Sequence, residues 1–501
     1  VGFWGISTGS TRLAQRVQSG VLMAVDKNMN EALEKPRNTE FVYRHLGAAL
    51  IVAAVVFSAS LFGILTRPFD FLAAFWPANA ILLGLMVRCP NMATPTGWLA
   101  ALVGYLSADF LTGGGLEMTL WMTAANMSGV LTGCYLFSRL DPADRKLLRP
   151  QSVLYMFSIC VVMAACSGAV GGGITPVYFG HEVSTGVLLW FSTELVNSLV
   201  VLPIMLTAPV WALAALNPAR SIRRWTVEWR RGLPIVALIL SLAASFSIGG
   251  PGAIAFPVPA LLWCALSYSL FSTVLLTGAV STVYLIAVAF SLDATNTGTD
   301  IASTVSIRLG VTFLVLGPIM VASINSAREE LLRTLDHAAN HDALTGCLLR
   351  TPFMARSEVR IAQQKQRGMS VAMLMLDIDH FKSINDRYGH PMGDQALMAF
   401  AAAIKPLLRK RDLLGRLGGE EFAVLMSGVT YEETMSIAQR LCDEVQKQLI
   451  TLEVGDTISI TVSIGVCWQP KASMTLRQML ISSDQALYQA KSTGRNKVVS
   501  L

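Results

Sequence analysis

The sequence predicts a polytopic α-helical membrane domain followed by a cytoplasmic α/β domain whose helices pack on an antiparallel-rich sheet. Three observations carry this expectation. Apolar runs long enough to cross a bilayer crowd into residues 46–325. Charged residues return to ordinary density after Ser326. Beyond that point, short apolar runs of strand length alternate with stretches of helical period. With 501 residues, the chain is too long for one ordinary domain. It is 53% hydrophobic and only 14% charged, where a soluble protein carries roughly 25% charged residues.

These shifts divide the chain into an N-terminal arm (1–45), a membrane domain (46–325), a linker helix (326–341) and a soluble domain (342–501). The arm mixes charges with small residues and lacks the apolar core of a signal peptide, so a soluble arm and an interfacial helix both fit. A helix needs roughly 20 apolar residues to cross the hydrocarbon. On that ruler the candidate spans are 46–66, 71–88, 97–113, 118–138, 152–174, 185–210, 232–249, 253–269, 271–292 and 304–325. The count falls to eight if two weaker ones are re-entrant.

Basic residues set the orientation. Arg12, Arg16, Lys27, Lys35, Arg37 and Arg44 precede the first span. Arg139, Arg145, Lys146 and Arg149 share that side, as do Arg220, Arg223, Arg224, Arg230 and Arg231. The opposite loops hold Asp70, Glu117, His181, Glu182, Asp293 and Asp300. By the positive-inside rule the N-terminus and everything after Arg328 are cytoplasmic in a multi-pass membrane protein. The net charge of +6 is largely explained by these loops. No basic stripe interleaved with aromatics points to nucleic acid. The eight cysteines show no paired spacing, so neither a disulfide framework nor a zinc site is expected.

Asn79, Asp109, Asn126, Glu194 and Asn197 lie inside the spans, where polar groups are costly. Helix-to-helix hydrogen bonding accounts for them. So does a buried ligand or ion pocket, for which Glu194 and Asn197, three apart on one helix face, are the candidates. In the linker, Leu331, Leu335 and Ala338 recur at helical spacing with no Pro or Gly. A stiff rod that pairs as a short coiled coil in a homodimer fits, as does a monomeric helix.

In the soluble half the strand candidates are 370–377, 412–417, 421–427, 457–467 and 495–499, and the helices 351–367, 391–408, 430–449 and 475–491. The order approaches a ferredoxin-like βαββαβ plan. Gly418-Gly419 would connect two strands as a hairpin, since Gly reaches positive φ without steric cost. Glu420 and Glu421 would open the returning strand, one on each face. Asp377 and Asp379 end an apolar strand, after which the chain turns at His380-Phe381-Lys382. Carboxylates at the ends of neighbouring strands supply the hard oxygens that Mg²⁺ takes, with positions left for phosphate and water.

Three stretches, Gly418-Gly419-Glu420-Glu421-Phe422, "LDIDHFKSINDRYGHPMGDQAL" (376–397) and "DQALYQAKSTGRNKV" (484–498), occur in order, and residues 342–501 resemble the GGDEF domain of diguanylate cyclases in its GGEEF form. The resemblance implies a nucleotide-cyclase palm-like fold and condensation of two GTP into cyclic di-GMP with release of two pyrophosphates. It implies Mg²⁺, with Mn²⁺ as the alternative, held by Asp377, the Ile378 carbonyl and Glu420. Glu421 would be a second metal ligand or help deprotonate the attacking hydroxyl. Asn385 and Asp394 would read guanine, Phe381 and Lys382 would offer main-chain N–H groups to the phosphates, and Lys491 and Arg495 would neutralise the triphosphate. Arg409 and Asp412, at RxxD spacing upstream of the signature, resemble the family's inhibitory site for its product, with Arg440 assisting. "DALTGCLLR" (342–350) resembles the family's opening motif, with Cys347 and Leu349 departing from it.

"FWPANAILLGLMVR" (75–88) and "WFSTELVNSLVVLPIMLT" (190–207) resemble the MASE1 family of membrane sensor domains, Asn197 standing where Gly is common. That implies a multi-span sensory input region in a bacterial inner membrane, for a stimulus, whether small molecule, lipid or light, that the sequence does not name. Two rival readings are a silent domain that binds GTP or cyclic di-GMP, and a transporter with a regulatory tail. The intact acidic set argues against the first.

Overall fold

The computed structural model describes residues 46–66, 73, 75–178, 180, 182–209, 232–250, 252–294, 301–451 and 457–501. The arm and the basic loop near 211–231 lie outside them, as do Asp70, His181 and Asp300. Two compact units divide between Glu329 and Glu330.

The first unit is helical. Its helices of ten or more residues are α1 (Leu46–Leu65), α2 (Ala78–Arg88), α3 (Pro95–Leu111), α4 (Leu116–Ser138), α5 (Pro150–Gly171), α6 (Val183–Thr207), α7 (Leu233–Ile248), α8 (Val258–Ser267), α9 (Leu270–Ala294) and α10 (Ile301–Asn340). Each expected span meets one of them, but five helical runs among the described residues are long and apolar enough to cross a membrane: Leu46–Leu65, Pro150–Tyr178, Val183–Thr207, Leu270–Ala287 and Ile301–Asn340. The expected span at 71–88 shortens because the backbone is non-helical through 75–77. A residue before proline avoids the α region, so Trp76-Pro77 delays the helix. The 11 residues of α2 then rise about 16 Å, half the hydrocarbon thickness.

Helix α6 is buried on nearly every side, packed against α2, α5 and α9. Small residues make such contacts close. A Cβ on Gly104 of α3 would stand 2.9 Å from the Ala53 carbonyl oxygen of α1. Helix α10 is 40 residues long, contains Pro318 and rises about 60 Å. Leu331, Leu332 and Leu335 on its last turns are exposed.

The second unit is an α/β sandwich. Its strands are β1 (Leu348–Leu349), β2 (Val371–Ile378), β3 (Leu413–Gly418), β4 (Glu421–Ser427), β5 (Leu449–Thr451), β6 (Thr457–Ser459), β7 (Val462–Gln469) and β8 (Val498–Ser500). Its helices are α11 (Arg350–Arg367), α12 (Phe381–Tyr388), α13 (His390–Ile404), α14 (Tyr431–Gln446) and α15 (Leu476–Ser492). Six strands form one sheet in the order β1-β3-β4-β2-β7-β8, with β5-β6 a separate pair. The four central strands pair antiparallel, and β1 and β8 add parallel at the edges.

Strand β2 is apolar at every position through Leu376 because it is buried on both faces. Its side chains alternate: Ala372, Leu374 and Leu376 join Phe400, Phe422 and Leu441 in one core, while Val371, Met373 and Met375 join Phe353, Met479 and Leu487 in the other. Gly465 on β7 admits α15: a Cβ there would lie 2.0 Å from the Ser483 carbonyl oxygen. Thr430 and Thr475 cap α14 and α15 in capping boxes with Glu433 and Gln478.

Three expected elements change. The run 457–467 breaks into β6, which pairs with β5 in the separate sheet, and β7, which pairs with β2 and β8. The helix expected over 391–408 ends at Ile404, ahead of Pro406, in a 3₁₀ turn. Residues 381–388, expected only as a turn, form α12 after His380 takes a left-handed conformation at φ 58°.

Candidate active site

The strand periodicity that fills the two cores also aims the acidic residues. Asp377 continues the series Val371, Met373, Met375 and therefore faces α15. Its ladder partner is Glu421, directly opposite on β4, so the two share a face. Helix α15, let in by Gly465, brings Lys491 there, and its Nζ donates to Asp377 Oδ2 at 2.8 Å. Burial pushes the Asp377 carboxyl pKa up; Lys491 opposes this, while Glu420 and Glu421 add to it. The carboxylate is 6% exposed.

The signature hairpin differs in detail from expectation. Gly418 pairs with Glu421, so the loop is Gly419-Glu420, and only Glu421 belongs to the strand. Gly419 sits at φ 51°, where a side chain is disfavoured. The Glu420 carbonyl accepts from the Ile378 N–H at 3.4 Å, tying the loop to the end of β2. Arg416, passed over in the sequence, fastens the turn from behind. Its Nε donates to the Gly419 carbonyl at 2.9 Å and its Nη1 to Asp342 Oδ1 at 3.0 Å. Burial raises the Asp342 pKa, but the Thr345 hydroxyl and N–H and the Arg416 guanidinium outweigh it, and the carboxyl lies below its ordinary range.

Asp379 is occupied differently. Its oxygens accept from Thr461 Oγ1 (2.8 Å), Ser463 Oγ (2.7 Å) and the Asn496 N–H (3.0 Å). Phe381 and Lys382 open α12, where main-chain N–H groups lack intrahelical partners. Asn385 lies over Gly393, where a Cβ would meet its Oδ1 at 1.9 Å, and Asp394 follows on α13, exposed. Arg495 is exposed at φ 61°. Among the described residues no three His, Cys, Asp or Glu side chains converge at metal-ligand spacing. The donor chemistry nonetheless suits a hard cation, since Asp377, Glu420 and Glu421 supply carboxylate oxygens at adjoining strand ends.

Arg409 and Asp412 form a closed turn: the Arg409 N–H donates to Asp412 Oδ2 and the Asp412 N–H to the Arg409 carbonyl, both at 2.9 Å. Asp412 Oδ1 has no partner, and burial raises the carboxyl's pKa. Arg409 Nη2 lies 3.8 Å from Glu433, and Arg440 is exposed on the same helix, α14.

In the first unit, Glu194 and Asn197 are not brought to a common partner. Glu194 Oε2 accepts from Asn79 Nδ2 at 2.7 Å. The same Asn79 donates to Asn126 and accepts from Tyr105 and Trp76. Asn197 turns back to the Thr193 carbonyl, and its Oδ1 has no partner.

The family model described as "Diguanylate cyclase, GGDEF domain" matches residues 339–497. "Probable diguanylate cyclase DgcF" of Escherichia coli O157:H7 is 31% identical over 440 residues, covering 86% of this chain and 89% of that one. The DgcF of Escherichia coli strain K12 is 34% identical over 318 residues, covering 62% of this chain and 96% of that one. Among solved structures, the coiled coil and GGDEF domain of DgcB from Caulobacter crescentus in complex with c-di-GMP is 27% identical and covers 35% of this chain and 92% of that one, at a TM-score of 0.34. Matched along most of its length to curated diguanylate cyclases, and carrying the acidic hairpin where their domain model falls, the chain belongs to the GGDEF family of diguanylate cyclases.

Proposed function

We propose that this is a membrane-bound diguanylate cyclase whose helical unit is a MASE1-like sensor and whose active site forms between two copies of the second unit. The observation that carries the reading is the shared face of Asp377 and Glu421 at the Gly419-Glu420 loop, with Lys491 bonded to Asp377. Each copy would hold one GTP. Asn385 and Asp394 accept from the guanine edge, which adenine cannot match. The first turn of α12, with Lys491 and Arg495, faces the triphosphate.

The 3′-hydroxyl of one GTP attacks the α-phosphorus of the other, a P–O bond forms and pyrophosphate leaves. The reciprocal attack closes the ring. Asp377, the Ile378 carbonyl and Glu420 would hold Mg²⁺, with Glu421 beside them. The metal would offset charge on the leaving group and acidify the attacking hydroxyl. Lys491, bonded to Asp377 here, would be left to face phosphate if a divalent ion were held by that carboxylate. Most of the acceleration comes from positioning and electrostatics. Dimer geometry then controls activity, and the exposed Leu331 and Leu335 on α10 suit a paired helix. Cyclic di-GMP would bind back at Arg409 and Asp412, whose free Oδ1 is an open acceptor.

The test is the full chain in membranes, supplied with GTP and Mg²⁺, with product followed over time. Cyclic di-GMP must form, and ATP must not replace GTP. The substitution Arg409→Ala should raise the product concentration needed for half-inhibition about tenfold or more. Unchanged inhibition would remove the regulatory site from the reading and leave the reaction standing.

A further inference from the structure

Arg495 and Asn496 both adopt left-handed backbone, at φ 61° and 46°. Side-chain-bearing residues take that conformation at a cost, and two in succession require the surroundings to hold them. The turn is held at Asn496. Its N–H donates to Asp379 Oδ2 at 3.0 Å, its Nδ2 to Gln446 Oε1 at 3.2 Å, and its Oδ1 accepts from Cys442 Sγ at 3.4 Å. Asp379 is in turn fixed by the Thr461 and Ser463 hydroxyls, and its own N–H donates to the Thr461 carbonyl at 2.9 Å. It is 4% exposed.

Among the described residues its donors are neutral, and both its oxygens are engaged, although it stands two residues from Asp377. We propose that Asp379 and Asn496 are positioning residues. Their buried clamp locks the turn after α15, so that Arg495, four residues beyond Lys491, meets the triphosphate without prior ordering. This rests on the reading of Arg495 as a triphosphate contact. It adds a role for two residues that touch no substrate.

The test measures KM for GTP, kcat and thermal stability of the full chain carrying Asp379→Asn, Asn496→Gly, Arg495→Ala, and Asp379→Asn with Arg495→Ala. Asparagine at 379 keeps the shape but offers one oxygen where the carboxylate offers two to three donors. Glycine at 496 keeps the left-handed backbone and its N–H while losing both side-chain anchors. Asp379→Asn should raise KM about tenfold, and Asn496→Gly should raise it several-fold. In the Arg495→Ala background Asp379→Asn should raise it no further. A full additional rise in the double variant, or an unchanged KM in Asn496→Gly, would overturn the clamp. If Arg495→Ala alone leaves KM unchanged, the triphosphate reading of Arg495 falls first and the clamp falls with it. A merely structural role would lower thermal stability equally in both backgrounds and leave KM uncoupled.

Discussion

In the helical unit the carboxyl group of Glu194 is surrounded by amides and hydroxyls. In the second unit the carboxyl group of Asp377 meets an ammonium and two further acids. Both side chains are nearly out of reach of water, at 4% and 6% exposure. Among the described residues no cation pairs with Glu194, and its neighbour Asn79 spends every hydrogen-bonding atom on the helix bundle. Asp377 keeps one partner that can move. A hydrogen-bonded network of amides specifies how helices pack. On the proposed reading, the crowded acidic group favours a cation, so that burial of polar groups serves architecture in one unit and chemistry in the other.

The contrast can be broken at its strongest point by exchanging each acid for its amide. Glu420→Gln should lower turnover by at least about 10³-fold, with secondary structure unchanged. Glu194→Gln should change turnover of the full chain by less than about tenfold, since an amide can still accept from Asn79. Equal losses in a cyclic di-GMP assay would erase the distinction. A smaller effect tests the hub of the helical network. Asn79→Ala leaves Tyr105, Trp76 and Glu194 without their shared partner and should cost about 3 kcal/mol, read from unfolding in detergent. An unshifted transition would show that the network is not structural.

The smallest effect concerns charge. The Asp377 pKa is raised in the folded protein, so the native state holds its proton more tightly than the unfolded chain. Stability then falls as pH rises through the interval between the unfolded value, near 3.9, and the folded one. Asp377→Asn should slightly raise the melting temperature of metal-free protein at pH 7, and the gain should vanish below about pH 4. A gain that persists in acid would mean that the carboxylate's charge is not what strains the site.

The sequence exposed the acidic hairpin well because its residue types have few other uses: adjacent glycines for a turn, and acids where strands end. The sheet was legible for the same reason, since β2 reads as an unbroken apolar run. Other features depended on partners distant in the chain. Thr461 looks like any strand residue, and the bond from its hydroxyl to Asp379, 82 positions away, leaves no local signal. Helix α12 was hidden by His380, whose left-handed entry reads as a plain turn, although Phe381, Ile384 and Tyr388 follow helical spacing. Ten apolar runs were visible, but hydropathy alone did not reveal that Trp76-Pro77 would shorten one of them. Arg416 gave no signal, because a lone Arg in a strand is ordinarily a solvated edge residue.

That arginine has a mechanical consequence. Asp342 lies two residues beyond the last turn of α10, and Gly419 is at the tip of the signature hairpin. One planar guanidinium grips both, through its ε and η nitrogens. A twist delivered to the domain's first residues therefore has two routes to the tip, the Arg416 guanidinium and the sheet, where β1 pairs with β3.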